Sequence, residues 1–270
     1  MSSPGSGVKM ADLKSIFSTP TFTFLIGKDR SRLTIHAGAV RNLSKPLYAL
    51  INNGQMQEST SRLAVLEDVE KDTFLAFCEF LYTGTYTTPK PTAPENNSAW
   101  DFKVVGPCYG LACKNTKGMK EGVPCNNCLY DHLWRSFIMR DPAGEPASIS
   151  AKPNLLFHAK LYVFATKYLA HSLRSKCLKS LHRDLCLFSL DNNTTSHILE
   201  LIKFTYKHTS RDEPGGGSPL RDLVVHYAAC KARTLLGGDG GLRLLLDSNE
   251  ELGSDLVVKL VSENPCSYCG

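Results

Sequence analysis

Leu33-Thr34-Ile35-His36 opens the stretch whose reading decides the fold. It is followed by Ala37-Gly38-Ala39-Val40, a piece running to Leu47-Tyr48-Ala49-Leu50-Ile51, the polar turn Asn52-Asn53-Gly54, and the short apolar segment Leu63-Ala64-Val65-Leu66. Phe74, Phe77, Cys78 and Leu81 then fall at i, i+3, i+4 and i+7, a spacing that gathers apolar side chains on one helical face. The stretch closes on Tyr82-Thr83-Gly84-Thr85-Tyr86. Taken in order these are a strand, a helix pair, a strand and an amphipathic helix, which predicts a compact α+β unit.

Upstream, Thr21-Phe22-Thr23-Phe24-Leu25-Ile26-Gly27 is a β-rich run ending at a glycine, and Lys28-Asp29-Arg30-Ser31 is a polar turn, so a hairpin with Leu33 to His36 is expected. Residues 1–20 read as a disordered lead-in with one helical turn at Ala11 to Phe17. Residues 21–88 form the first part of the folded unit. Downstream, Thr88-Pro89-Lys90-Pro91-Thr92-Ala93-Pro94 cannot continue a helix or a central strand, because each proline removes a donor and fixes φ. An insert is therefore expected over 89–153. It holds four cysteines and both tryptophans, Trp100 and Trp134, and disordered segments are poor in such residues, so part of it should fold. Helical periodicity resumes with Phe157, Leu161, Phe164 and Tyr168, then with Leu173, Cys177, Leu181 and Leu185, predicting a helical hairpin over 154–190. Residues 191–270 read as a helical extension: Thr194 to His208, Pro219 to Leu236, a glycine-rich break, and a last helix near Ser248 to Ser262.

At Ile35-His36, Leu43-Ser44 before Pro46-Leu47-Tyr48, Met56-Gln57-Glu58-Ser59, Leu66-Glu67-Asp68-Val69 and Phe80-Leu81-Tyr82-Thr83-Gly84, the chain resembles a BTB/POZ domain of the fungal branch. Phe157-His158-Ala159-Lys160-Leu161-Tyr162 and Ala165-Thr166-Lys167-Tyr168 resemble the helix pair that completes such a domain. The resemblance thus implies one BTB/POZ-like domain, a small sheet with flanking helices, split by the insert and followed by a helical tail. The family is a protein-interaction module and not an enzyme. Its first strand opens on an acidic residue where this chain has Thr21 or Thr23. Met56-Gln57-Glu58 matches the hydrophobic-x-Glu pattern that ligase adaptors of the family set against a cullin scaffold, which makes Met56 and Glu58 the candidate partner-binding residues. Physically, an apolar anchor beside a carboxylate suits a groove with a basic rim; the plainer alternative is a loop in which Met56 packs locally and Glu58 is solvated.

Composition narrows the function classes. With 42% hydrophobic residues the chain can bury a full core, and a net charge of +5 from 31 basic and 26 acidic residues is too thin a surplus for a dedicated nucleic-acid surface. Met1 to Gly7 is small and polar without a secretory apolar core, and no apolar run approaches a bilayer span. A cytoplasmic or nuclear protein with no membrane partner is expected. Its ten cysteines should then be free thiols or metal ligands.

The insert's cysteines are the candidate metal site. Cys108 and Cys113 have four residues between them, and Cys125 and Cys128 have two; such gaps let one backbone turn present a pair of thiolates to zinc. A competing arrangement joins Cys125 and Cys128 to Cys266 and Cys269, since both pairs follow a proline with the same spacing. Either zinc would be structural, because four thiolates leave no open coordination position. Thioredoxin-like redox chemistry would place such a pair at a helix N-terminus after a strand, a pattern that neither pair fits.

Lys152, Lys160, Lys167, Arg174, Lys176, Lys179 and Arg183 stand against Asp184 alone between 152 and 186, and a solvated helical face is the expectation there. His36 is expected to serve the fold. Gly215-Gly216-Gly217 and Gly237-Gly238-Asp239-Gly240-Gly241 lack the Gly-Lys-Ser/Thr ending of a phosphate loop. The function expected is non-enzymatic protein–protein interaction, as an adaptor for a cullin-based ubiquitin ligase or as a homo-oligomerising scaffold. The alternative is a zinc-dependent nucleic-acid-binding regulator that uses the BTB part for dimerisation, although the insert's basic residues (Lys103, Lys114, Lys117, Lys120, Arg135, Arg140) are sparse.

Overall fold

Phe22, Phe24 and Ile26 alternate along strand β1 (Thr21–Ile26) and are all buried. β1 pairs antiparallel with β2 (Ser31–His36), placing Phe22 opposite Ile35 and Phe24 opposite Leu33. Gly27 turns the chain out of β1 at φ +73, a left-handed conformation that favours glycine, and a Cβ there would stand 2.8 Å from the Asp29 carboxylate. Strand β3 (Leu63–Leu66) runs parallel to β1 on its other side, giving the order β2-β1-β3. This computed structural model describes residues 10–89, 126–148, 154–191, 194–213, 215–237 and 240–262, with side chains from Leu13 in the first segment and His132 in the second. Among the described residues there are twelve α-helices and this one sheet, so the protein is mixed α+β.

The chain divides into two compact units, each built from separate pieces: Met1–Thr92 with Ala143–Leu181, and Ala93–Pro142 with His182–Gly270. In the first unit, α1 (Met10–Phe17) precedes the hairpin, and a 3-10 turn over Ala37–Val40 follows it. Then come α2 (Lys45–Asn52), α3 (Gln57–Ser61), β3 and α4 (Lys71–Thr83). Pro46 sits in the first turn of α2, where its missing N–H costs nothing; Gly84, at φ 72, ends α4. Helices α6 (Leu155–Lys167) and α7 (His171–Leu187) follow the insert, and Asn154 caps α6 by accepting from the Phe157 N–H at 3.0 Å.

Aromatic packing joins the pieces on either side of the insert. Phe24 meets Phe74 at 5.0 Å between centroids, Phe77 meets Phe164 at 5.1 Å, and Phe164 meets Tyr168 at 4.7 Å. Polar ties reinforce this core. The Ser44 hydroxyl accepts from the Leu47 N–H at 3.2 Å as the N-cap of α2 and donates to the Tyr168 carbonyl at 2.6 Å. The Tyr86 hydroxyl lies 2.7 Å from His158 Nδ1, with both residues buried. Charge pairing follows the same seam: Lys160 reaches both Glu70 oxygens at 2.8 and 2.9 Å, and Lys167 pairs with Asp68. Part of the basic run seen in the sequence is thus matched by the acidic loop after β3. The Tyr82 hydroxyl accepts from the His36 backbone N–H and is hydrogen-bonded to its Nδ1, each at 3.1 Å.

The second unit is helical: α5 (Asn126–Ile138), the end of α7 from His182, α8 (Thr195–His208), α9 (Pro219–Cys230), α10 (Ala232–Gly237), α11 (Gly241–Ser248) and α12 (Glu250–Ser262). Every residue of α9 from Leu220 to Cys230 except Asp222 is buried, and α5, α8 and α12 pack around it. On α5, Phe137 lies 5.0 Å from the His182 ring and 5.4 Å from the His226 ring. These histidines donate to α5 carbonyls, His182 to Phe137 at 2.8 Å and His226 to Leu133 at 3.1 Å. Buried Arg221 pairs with Glu251 and donates to Thr209 Oγ1 at 2.9 Å. The expected single helix from Pro219 to Leu236 breaks at Lys231, whose Nζ sits 4.1 Å from the Trp134 ring centroid. Helix α11 stands between the glycine-rich break and the last helix expected near Ser248 to Ser262, where the sequence pattern predicts no helix.

Phe164→Ala should destabilise the protein by about 3–5 kcal/mol, because the cavity opens where three aromatic rings meet. Ser44→Ala should cost about 1–3 kcal/mol by orphaning a buried carbonyl and a helix cap together. Urea unfolding followed by tryptophan fluorescence and circular dichroism measures both. Burial resists ionisation of Asp222, but hydrogen bonds from Arg140 and Lys259 outweigh it and hold the carboxyl below its usual 3.8. The unfolded chain therefore takes up this proton first as pH falls; the contribution is complete above 3.8 and disappears as pH drops through the lower folded value. Asp222→Asn should flatten that acid limb in a plot of Tm against pH and cost about 1 kcal/mol at neutral pH, after screening of the half-exposed carboxylate is allowed for.

Candidate protein-interaction site

Helix α3 is too short to hold a buried face, and none of its residues is buried. It is bounded by Met56 as N-cap and by Arg62, which takes a left-handed φ of 54 as the chain turns into β3. The Met56 side chain makes no capping hydrogen bond and is 44% exposed, while its carbonyl accepts from the Ser59 and Thr60 hydroxyls at 2.8 and 3.2 Å. Those bonds fix the turn from which Met56 projects. Glu58 lies in the first turn of α3, where a carboxylate is favoured by the helix dipole. Its side chain takes part in no ion pair among the described residues. An exposed thioether and a carboxylate two residues on are thus held by one short, hydrogen-bonded element.

The next element also carries exposed apolar side chains. On β3, Ala64 turns inward while Leu63 and Val65 remain 38% and 44% exposed. The run Leu63-Ala64-Val65-Leu66 marks no face by itself, because all four residues are apolar and a period of two leaves no trace in such a run. Only the parallel register, with Phe24 opposite Ala64, separates the inner set from the outer one.

Of the four candidate zinc ligands, Cys108, Cys113 and Cys125 lie outside the described residues, as do Cys266 and Cys269; Cys128 falls within α5, ahead of its first described side chain. Among the described residues no three His, Cys, Asp or Glu side chains gather as a metal would require. Burial pushes the Cys78 and Cys186 thiols up to about 12, and Cys177 is raised further by the same cause. These three are protonated at neutral pH and poorly placed for nucleophilic or redox chemistry. No helix among the described residues is long and apolar enough to cross a membrane.

No family model matches the chain, and no curated protein matches it.

Met56→Ala and Glu58→Ala should each change folding stability by less than about 0.5 kcal/mol, since neither side chain is buried. Superimposable thermal melts of wild type and the double variant would establish that any binding defect arises at the surface.

Proposed function

We propose that the chain is a non-enzymatic protein-interaction module of the BTB/POZ type, working in the cytoplasm or nucleus as an adaptor that joins a client to a cullin-based ubiquitin ligase. The observation that carries this reading is the pairing of exposed Met56 with Glu58 on one short helix. The Met56 side chain would enter an apolar pocket on the scaffold, and Glu58 would meet a basic group at its rim. Hydrophobic burial supplies affinity in such a contact, and the charge pair supplies orientation. Closure of the sheet and α4 with α6 across the insert supports the domain reading, because both pieces contribute to one interior.

Clients would be held elsewhere, on the insert or the helical tail, leaving Met56 and Glu58 for the scaffold. A structural zinc on Cys108, Cys113, Cys125 and Cys128 would order the insert without a large core of its own. The nucleic-acid alternative draws less support: Lys160 and Lys167 are engaged with Glu70 and Asp68, so they offer no basic stripe to phosphate.

A pull-down against a cullin N-terminal region should retain the wild-type chain and lose at least about tenfold in affinity on Met56→Ala/Glu58→Ala. Wild-type protein that captures no cullin would remove the adaptor role. Elemental analysis of purified protein should find stoichiometric zinc, lost on Cys125→Ser; zinc-free protein with a protease-resistant insert would end the metal proposal.

A further inference from the structure

Helix α12 is docked by one side only. Leu252 and Leu256 are buried, and the helix packs on α9. Polar contacts pin the same arrangement: Glu251 pairs with Arg221, Asp255 accepts from the Tyr206 hydroxyl at 3.0 Å and from Arg211 at 2.8 Å, and Lys259 reaches Asp222 at 2.8 Å. Together they set the rotation of α12 about its own axis.

The opposite side is thereby held toward solvent. At about 3.6 residues per turn, Glu250, Ser254, Val257, Val258 and Val261 share one stripe, and all five are exposed. The three valines keep 60%, 60% and 65% of their surface in water. Scattered apolar residues on a surface call for no explanation, but these adjoin on two successive turns of one helix. Valine is also a weak helix former, because its branched side chain is restricted against the preceding turn. The three valines thus serve neither solvation nor the local fold, and burial against a partner is the gain that accounts for them.

Charge along the stripe selects the occupant. Glu250 stands in the first turn of α12, and Asp247, three residues earlier, is exposed. Neither carboxylate enters an ion pair among the described residues, and the stripe holds no basic residue. It is acidic at its N-terminal end and apolar at its C-terminal end, over about 16 Å at 1.5 Å per residue. A second copy does not match this pattern. Laid antiparallel it would press Glu250 of each chain onto the valines of the other, and laid parallel it would oppose like charges. A helix with apolar residues at i, i+3, i+4 and i+7 and with lysine or arginine in its last turn matches both ends. Basic residues favour a helix C-terminus, so such a partner lies antiparallel to α12 with its basic turn over Glu250 and Asp247.

We propose that the outer stripe of α12 is a docking site for an amphipathic, C-terminally basic helix of another protein, with Val257, Val258 and Val261 as the apolar anchor and Glu250 as the orienting charge. Calling that protein the client rests on the adaptor reading above; the binding itself involves neither Met56 nor Glu58. One helix on one short stripe buries less than a standard interface, so the contact is micromolar and reversible.

Fluorescence anisotropy of the full chain with two labelled peptides tests it. The peptides share an amphipathic Leu/Ala/Gln helix and differ only in ending on lysines or on glutamates. Wild type should bind the lysine-ended peptide at least about tenfold more tightly than the other. Val258→Gln/Val261→Gln should lose at least about tenfold for the lysine-ended peptide, and Glu250→Lys should reverse the preference; circular dichroism checks that each variant is folded. Met56→Ala/Glu58→Ala should bind the peptide as wild type does, and the valine variant should still be captured by a cullin, which separates failure of this surface from failure of the adaptor role. The proposal is overturned by wild type that binds neither peptide or both alike, or by a folded valine variant that binds as wild type does. Sedimentation that reveals a dimer dissolved by Val258→Gln/Val261→Gln would overturn it as well, since the stripe would then belong to a second copy.

Discussion

Phe164 is the side chain on which the first unit closes. It packs on Phe77 at 5.1 Å and Phe74 at 6.2 Å, rings carried by a helix that ends before the insert, and on Tyr168 one turn along its own helix. Phe74 in turn touches Phe24 of the central strand. The hairpin therefore lacks part of its interior until a piece of chain some distance along the sequence arrives. A two-stranded hairpin alone is marginal in water, and the packing of α6 on α4 adds the aromatic cover on which the buried side chains of β1 rest.

The polar contacts along this seam turn a general apolar attraction into one arrangement. Ser44 can cap α2 and hold the Tyr168 carbonyl only if the end of α6 lies in one place. Tyr86 can satisfy His158 Nδ1 only if the chain leaves α4 along one path. Buried polar groups left without partners are costly, so a slipped packing of α6 would lose more than contact area. The ion pairs of Lys160 and Lys167 are exposed and contribute orientation more than stability.

Much of the first unit was legible because its periods are clean. The i, i+3, i+4, i+7 spacing from Phe74 gave α4, the β-rich run to Gly27 gave β1, and Phe157 to Tyr168 gave α6. Less could be read where structure depends on distant partners. Trp134 signalled that part of the insert folds, but nothing local told that Phe137 would lie between His182 and His226. The break at Lys231 was hidden because the apolar pattern continues through it while the helix does not. At the candidate site the outlook was mixed. Met56 and Glu58 could be singled out as a pattern, whereas the outward turn of Leu63 and Val65 depends on a register that no single strand carries.

The interleaved order of the two units has a consequence for how a ribosome delivers this chain. The sheet and α4 are complete by Thr83, yet the aromatic cover they need ends at Tyr168. At about 5–20 residues per second, the nascent polypeptide waits on the order of ten seconds between the two. Through that interval Phe24, Phe74 and Phe77 have no finished core to enter, and α5 emerges before α9, the helix it packs against. Vectorial synthesis thus leaves both bodies open at once, and a cell making this protein must shield nascent apolar surface until the later helices come through.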